Sequence, residues 1–316
     1  MLRTFPNPYP DELLYSLFVR HHIRSGNKIF KQTIEDLLGY VPHQLYGLAL
    51  PSNLNFLVEK LRLISSQTAE DLISNYTLYS FYIIFLTQSE AFLLKNLMRK
   101  KTSKPIFQVA KIDVAKGSED SRLLKFCSQC LEKDLQKFGE AYWHRTHQIP
   151  GIFACLTHGT VLRESLVPIQ EGYLNCHAAD LKNCLVEVDG IVYKESTLQQ
   201  LLAVAKDIIW LSSNGLNFKG LQWLRSRYEY YLVEKEFMKV PSSNTFKFDS
   251  QKFAEAIFDF YGQEFWNVVK PGLWTHAERY FTHCLLACDI MPAIDRVTHI
   301  ILIRFLSNSP KVFFKR

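Results

Sequence analysis

The chain has 316 residues, of which 47% are hydrophobic and 14% aromatic, enough to build a folded core divided among two or three small domains. Its net charge of +6 permits nucleic-acid binding but does not establish it. Seven cysteines, no apolar secretory segment and no apolar run of bilayer length argue against a disulfide scaffold or a membrane protein, and predict a reducing cytoplasm.

The first 101 residues predict a helical domain that begins with an extended arm. Residues 1–10 carry prolines at 6, 8 and 10, and the acidic pair Asp11 and Glu12 that follows is typical of a first helical turn. Apolar residues then recur at helical spacing and predict helices over about 13–25, 32–38, 52–61, 68–75 and 90–101. Short helices joined by tight turns are compatible with a helix-turn-helix arrangement.

Basic residues are concentrated just after these helices. Residues 99–125 contain eight lysines or arginines against three acids, and residues 102–121 are predicted to be a basic linker. Such a run fits either a solvated face or a surface that contacts phosphates. The candidate DNA contacts from this run are Lys100, Lys101, Lys104 and Lys125.

Two short motifs predict a metal site within a module at residues 122–165. They are Cys127-Ser-Gln-Cys130 and Cys155-Leu-Thr-His158, with 24 residues between them. A two-residue gap lets both side chains of a motif reach one ion, and three thiolates with one imidazole suit tetrahedral zinc. Four protein ligands leave no position for water, so the predicted cofactor is one structural Zn²⁺ rather than a catalytic ion.

Other interpretations of the cysteines are weaker. A redox CxxC pair is expected beside a βαβ pattern, which the sequence lacks, and a deaminase-type zinc site needs HxE upstream of PCxxC. Cys176 and Cys184 have no matching second motif, so they are predicted to be small buried hydrophobes and a second ion is not expected. Cys284 and Cys288, four residues apart, are predicted to lie on one helix face in the core.

The stretch between the two motifs carries further candidates. Residues 139–148 predict a helix or its start, followed by a turn at 150–151. His144 and His147 could form a metal or acid–base pair, but four better ligands are already present, so they are expected to pack or contact phosphate. Arg145 is a candidate DNA contact.

The remainder of the chain predicts a connecting segment and a second helical domain, for a mainly α fold. Residues 166–195 contain a predicted strand–turn–strand at 185–194. Residues 196–316 predict helices from 197 onward, over about 219–237, over 249–269 with a break at Gly262, and over 296–306. The aromatic helix 219–237 supplies the candidate DNA contacts Lys219, Arg225 and Arg227.

Two stretches of the chain resemble one known family. One is the arm and first helix, 5–16 (FPNPYPDELLYS), with Arg20 and Ser25-Gly26 beyond; the other is 126–159, with FGEAYWHRTHQIPG between the metal motifs. Both are similar to the TniQ/TnsD family, whose members select target sites for multi-component transposons. The resemblance covers the first 165 residues, and 299–306 is similar to a segment of TnsD rather than of the shortest TniQ proteins.

The resemblance implies a helical N-terminal part, a zinc finger and further helical modules, with no catalysis. It carries the ligand role to Cys127, Cys130, Cys155 and His158. It implies a protein that bridges a transposition target to TnsC, an AAA+ ATPase regulator. Such a protein is expected in the bacterial cytoplasm, associated with the nucleoid. The absence of a GxxxxGK[ST] motif and of acids spaced for two-metal chemistry agrees with a non-catalytic role.

Three functions remain open on sequence grounds. The chain could bind a specific double-stranded attachment DNA and recruit TnsC, it could join a CRISPR effector ribonucleoprotein to TnsC, or it could be an unrelated zinc-containing transcription regulator. Binding to one duplex sequence would favour the first function. Neighbouring genes for CRISPR effector subunits would favour the second, and the absence of a neighbouring transposase gene would favour the third.

The arm is a candidate docking site for TnsC through Phe5, Pro8 and Tyr9. Aromatic side chains on an extended arm are costly to leave in water, so either a partner or the protein's own surface is expected to cover them.

Overall fold

A computed structural model describes residues 4–41, 49–102, 106–112, 123–169, 175–186, 192–215, 218–239, 247–290 and 293–315. Within these residues the chain forms fifteen α-helices and two pairs of short antiparallel strands, so the predicted mainly α fold is confirmed. None of the described helices is long and apolar enough to cross a membrane.

Seven of the helices lie within residues 14–109, and we call this part of the chain the N-terminal domain. Two of them begin with capping boxes, Thr68 with Asp71 and Thr87 with Glu90, which satisfy backbone N–H groups that a helix start leaves free. The helices are α1 (Leu14–Ser25), α2 (Phe30–Leu38), α3 (Leu54–Leu61), α4 (Ala69–Tyr76), α5 (Tyr79–Tyr82), α6 (Gln88–Arg99) and α7 (Ile106–Val109).

The first two helices are joined by a short turn, as a helix-turn-helix arrangement requires. Gly26 closes α1 at a φ of 75°, a left-handed conformation that glycine adopts without strain. The exposed residues of α2 include Lys31 but also Glu35 and Asp36. This face therefore lacks the uniformly basic character of a helix that lies against phosphates.

The segment predicted as a basic linker contains α7. Ile106 and Phe107 are buried, and α7 packs against α6. Lys111, just beyond, forms an ion pair of 2.9 Å with Glu90. Residues 106–112 are thus held against the N-terminal domain by the buried side chains of Ile106, Phe107 and Ala110 and by one ion pair. Residues 113–122 lie outside the described part of the chain.

The central module combines one helix with a two-stranded antiparallel sheet. Strand β1 (Leu123–Phe126) leads directly into α8 (Ser128–Phe138), and β1 pairs with β2 (Arg163–Pro168). The expected helix over 139–148 is reduced to a single 3₁₀ turn at Thr146–Gln148, and the helix between the two motifs lies earlier. The side-chain amide of Gln148 bonds both the N–H and the carbonyl of Lys125, at 2.9 and 2.8 Å, and so imitates a third strand at the edge of β1.

The C-terminal domain is built around α14, most of whose residues are buried. The predicted break at Gly262 is present, with α11 ending at Tyr261 and α12 beginning at Gln263. The described parts of 185–194 form no strand, and 187–191 lie outside them. The elements are α9 (Glu195–Ser213), α10 (Leu221–Glu234), β3 (Met238–Lys239), β4 (Lys247–Phe248), α11 (Ser250–Tyr261), α12 (Gln263–Val269), α13 (Ala277–Leu286), α14 (Arg296–Ser307) and α15 (Pro310–Lys315).

Both earlier modules pack against this C-terminal domain. The buried guanidinium of Arg296 donates to the carbonyls of Tyr82, at 2.7 and 3.1 Å, and of Ala110, at 2.5 Å. Gly151 of the central module approaches α9 and α14 so closely that an added Cβ would lie 2.9 Å from atoms of Ile208 and Val297. One continuous hydrophobic core therefore underlies all three modules.

Candidate metal centre and the N-terminal clasp

The four predicted ligands converge on one point. Nδ1 of His158 lies 3.4, 3.3 and 3.6 Å from the sulfurs of Cys127, Cys130 and Cys155, and the sulfurs of Cys130 and Cys155 are 3.7 Å apart. A tetrahedral ion with Zn–S bonds of about 2.3 Å and a Zn–N bond of about 2.05 Å requires S···S and S···N edges of about 3.8 and 3.5 Å. The observed edges fit, so this group could hold a metal ion.

Local backbone structure brings the two motifs together. Cys127 is the residue before α8, so Cys130 falls in the first turn of that helix. The second motif folds as a tight turn, in which the Cys155 N–H donates to the Thr160 carbonyl at 2.7 Å and the Gly159 N–H donates to the Cys155 carbonyl at 2.8 Å. Gly159, at a φ of 66°, makes this reversal without strain.

The charge of the three thiols also favours a cation. Hydrogen bonds from Cys130 and Cys155 lower the pKa of Cys127, whereas the hydrogen bond with Cys127 raises the pKa of Cys130. The three buried thiols cannot all ionise side by side unless a positive charge lies between them. A divalent ion supplies that charge and turns all three into thiolate ligands.

A second group, formed by Cys130, His144 and His147, also brings its ligand atoms within 4.8 Å of one another. The two imidazole rings are stacked, with centroids 4.8 Å apart and planes 29° apart. A metal ion lies in the plane of each imidazole that binds it, and two stacked rings do not share such a point. Asp134 already holds His144 Nε2 at 2.8 Å, so this group is a packed extension of the first site.

The remaining cysteines lie outside any metal-binding group among the described residues. Cys184, Cys284 and Cys288 are buried and Cys176 is half-buried. Burial raises the pKa of Cys284 and of Cys288 to about 12, as expected for core thiols. Cys288 lies in a 3₁₀ turn beyond the end of α13, so it does not share a helix face with Cys284 as predicted.

The N-terminal arm packs against the protein itself. The ring of Tyr9 stacks on Phe138 at 4.2 Å between centroids, and the guanidinium of Arg20 covers it at 3.7 Å. The Tyr9 hydroxyl donates to Glu140 at 2.9 Å, and the ring of Phe5 lies 5.2 Å from that of His21. The chain's own surface thus covers these aromatics, which removes the physical argument that a partner must do so.

The residues just after the arm bind the loop between the metal motifs. The Leu13 N–H donates to the Trp143 carbonyl at 2.8 Å, and the Arg145 N–H donates to the Asp11 carbonyl at 2.6 Å. The Asp11 carboxylate also accepts from the Thr146 N–H at 3.0 Å. We call this set of contacts, from Asp11–Leu13 to 143–146, the clasp. The clasp joins the two family-like stretches of the sequence, 5–16 and 126–159.

A buried ion pair supports the clasp. Glu12 accepts from Arg20 at 2.7 Å and from Ser16 at 2.9 Å, and Arg20 also reaches Glu140 at 2.9 Å. Asp11 and Glu12 were predicted to lie in the first turn of a helix, but α1 begins at Leu14, so both precede it. Sequence patterning assigned no role to Glu140, although it stands inside a family-like motif. Burial raises the pKa of Glu12 in spite of its ion pair.

The sequence profile of the TniQ family matches residues 3–162, about half of the chain. The chain belongs to the TniQ family. The matched segment contains the arm, the clasp and all four candidate ligands. The match therefore confirms the family membership that these motifs predicted.

This TniQ-family chain is also similar to a curated relative, the Transposon Tn7 transposition protein TnsD of Escherichia coli. The two are 26% identical over 161 residues, which cover 51% of this chain. The matched segment spans 31% of the length of the relative.

The predicted DNA contacts of this TniQ-family chain lie in different environments. Lys100 and Lys101 are exposed after α6, and Lys104 lies outside the described residues. Lys125 is 4% exposed, and its ammonium donates to the carbonyl of Ile152 at 2.7 Å. Its phosphate contact stays a prediction, and an ammonium enclosed by backbone oxygens is poorly placed to make it.

Arg145 is likewise directed inward. Its guanidinium pairs with Asp11 at 3.3 Å and donates to the carbonyls of Ser74 and Thr77 at 3.4 and 3.5 Å. These contacts hold the central module against α4 and the turn that follows it. Arg145 thus has a structural role, and its phosphate contact stays a prediction.

The candidates on the aromatic helix α10 are divided. Lys219, just before the helix, is exposed. Arg225 forms ion pairs with Glu229 at 3.1 Å and Asp289 at 3.5 Å, which reduce its positive field. Arg227 is half-buried, and its guanidinium donates to the carbonyl of Phe313 at 3.0 Å.

Proposed function

We propose that this chain is a non-catalytic target-site selector of a multi-component DNA transposon. In this role it binds a specific double-stranded attachment DNA and recruits the AAA+ regulator TnsC. The observation that carries the proposal is the family match over 3–162, which coincides with one interlocked unit of arm, clasp and metal centre. The similarity to a transposition protein over 161 residues supports it.

We also propose that the ion is zinc. Three sulfurs and one nitrogen at tetrahedral distances are the ligand set that zinc takes in closed structural sites. Such an ion stabilises the fold of the module and takes no part in a reaction.

The proposed DNA surface is reduced to the basic residues that the chain does not use itself. It contains Lys100 and Lys101 after α6 and Lys219 before α10, together with Lys104, which lies outside the described residues. Lys125 and Arg145 are excluded because their charges are bound internally. Arg225 and Arg227 remain as weaker contributors at the edge of α10.

Selection from random-sequence duplex DNA tests the specific part of this function. We expect one preferred site, bound with a steep dependence on salt concentration. The double change Lys100→Gln and Lys101→Gln should weaken binding to all sequences and lower the slope of log K against log salt by about 1 for each lost phosphate contact. Lys28→Gln with Lys31→Gln is the matched control, since both are exposed lysines beside acidic α2.

Two experimental outcomes would each replace this proposal with another function. A chain that selects no sequence, yet is retained on a CRISPR effector ribonucleoprotein, would be an adaptor for RNA-guided transposition. A chain that binds one duplex but never recruits TnsC would instead be a transcription regulator.

Recruitment of TnsC is proposed to use the arm as part of a composite surface with α1 and the central module. Phe5 and Pro8 are half-buried there, while Thr4 and Asn7 are exposed. Thr4→Arg with Asn7→Arg should reduce retention of TnsC on target DNA without changing metal content. Gln251→Arg, at an exposed position on α11, serves as the control, and equal retention of all three proteins would place the docking surface elsewhere.

A further inference from the structure

One of the metal-binding thiols faces a buried imidazole that is not a ligand. His147 Nε2 lies 3.9 Å from Cys130 Sγ, and the His147 side chain is almost fully buried. Cys127 has a similar neighbour, because Thr160 Oγ1 lies 3.6 Å from its sulfur. Two of the three sulfurs therefore face a polar atom outside the ligand set.

The protonation state of a metal-bound sulfur determines which atom of each contact is the hydrogen-bond donor. A thiolate bound to a metal carries no proton, so a nitrogen or hydroxyl beside it can interact favourably only as a donor. Three thiolates and one neutral imidazole around a divalent ion also leave one net negative charge in a buried place. Donors directed at the sulfurs stabilise that charge.

We propose that His147 is a positioning residue of the metal centre, which donates its Nε2–H to the metal-bound thiolate of Cys130. The contact holds the sulfur in place and strengthens the retention of the ion. This inference rests on the metal centre proposed above and goes beyond it, because it assigns a role to a side chain outside the ligand set.

The chain holds His147 in this orientation by a row of contacts. Asp134 and Cys130 are four residues apart on α8, so they project from the same side of the helix. Asp134 fixes His144 at 2.8 Å, and His144 in turn stacks between Tyr142, at 4.4 Å, and His147, at 4.8 Å. The helix that carries a ligand thus also carries the anchor for its donor.

Metal affinity of the full chain tests the proposal. The change His147→Phe keeps a ring to stack on His144 but removes the N–H, and we expect zinc affinity, measured by competition with a chromophoric chelator, to fall about 10- to 100-fold. His22→Phe is the control, because that half-buried histidine lies on α1 and bonds Thr33 rather than a thiol. Equal affinities of the His147→Phe and wild-type chains would overturn the assignment.

A measurement on the unmodified protein guards against a variant that fails to fold. Nitrogen NMR of the cadmium-loaded chain should show His147 with its proton on Nε2 and a coupling from that proton to the metal through sulfur. A proton on Nδ1, or a second metal ion bound by His147, would overturn the proposal. A wild-type chain that retains no metal would overturn the metal centre itself, which distinguishes the two failures.

Discussion

Arg20 and Glu12 form a buried ion pair with 2.7 Å between Nη1 and Oε2, and their side chains are 6% and 0% exposed. The pair lies where α1, the arm and the central module meet. Arg20 serves all three, because it also contacts Glu140 and the ring of Tyr9.

Breaking this pair should be costly. The change Arg20→Met leaves the Glu12 carboxylate buried without a counter-charge, so we expect the free energy of unfolding to fall by about 3–5 kcal/mol. Arg62→Met, which breaks the exposed pair of Arg62 with Glu59, should cost at most about 1 kcal/mol. Urea unfolding of both variants measures the two losses of unfolding free energy. Equal losses would show that the Arg20–Glu12 pair contributes no more to stability than an exposed pair.

Loss of one ligand should remove the metal. Cys127→Ser is expected to lose the ion and unfold the central module, because the free energy of metal binding is also folding free energy there. Cys176→Ser should retain the full metal content, since that thiol is outside the ligand set. Elemental analysis of both proteins gives the metal and its stoichiometry; a folded Cys127→Ser protein with one bound ion would contradict the ligand assignment.

A methyl group at Gly151 should separate the central module from α9 and α14. The added Cβ would lie 2.9 Å from Ile208 and Val297 and would also meet a φ of 80°, so we expect a loss of about 2–4 kcal/mol from overpacking and backbone strain together. Gly159→Ala is the matched control, with a φ of 66° and no neighbour within 4 Å of the added atom. Equal thermal stabilities would mean that the module docks loosely.

His299 should make stability depend on pH. Burial lowers its pKa to about 4, against about 6.5 in the unfolded chain. The unfolded state therefore binds a proton that the folded state refuses, so stability is full above about pH 6.5 and is lost as the pH falls toward 4, by about 3 kcal/mol in total.

The variant His299→Gln separates this effect from metal loss in acid. An amide can keep a hydrogen bond to Tyr228, which lies 2.8 Å from His299 Nδ1, but it does not titrate. The stability difference between wild type and variant should shrink as the pH falls from 6.5 to 4. If the stability difference stays constant over this pH range, the pKa of His299 is the same in the folded and unfolded chains.

Sequence patterns predicted most of the longer helices that have one apolar face, but α13 was given no range and was anticipated only through Cys284. The end of α1 at Gly26 and the break at Gly262 followed from local chemistry. The short helices α5, α7 and α15 were missed, because four to six residues are too few for a helical period to be visible. Strands β1 and β2 were both missed, because the two partners lie about 40 residues apart and pairing at that distance leaves no local signal.

The cluster of Cys127, Cys130, Cys155 and His158, which could hold a metal ion, was predictable because the spacing of its two motifs is itself a short-range signal. The basic residues were not, because a lysine on a solvated face and one enclosed by carbonyls have the same local sequence. Lys125 stands in the short strand β1, and only the packing of 148–152 against it shows where its ammonium lies. The clasp also escaped prediction, since Asp11 and Arg145 meet across more than 130 residues.

The guanidinium of Arg296 has a consequence for the order of folding during synthesis. Its partners Tyr82 and Ala110 precede it by 214 and 186 residues, and both carbonyls lie in buried surroundings. The N-terminal helices can form as the chain leaves the ribosome, but contacts of this sequence separation form late. We therefore expect the first module to reach its final packing only after residue 296 has emerged, with the carbonyls of Tyr82 and Ala110 open to water until then.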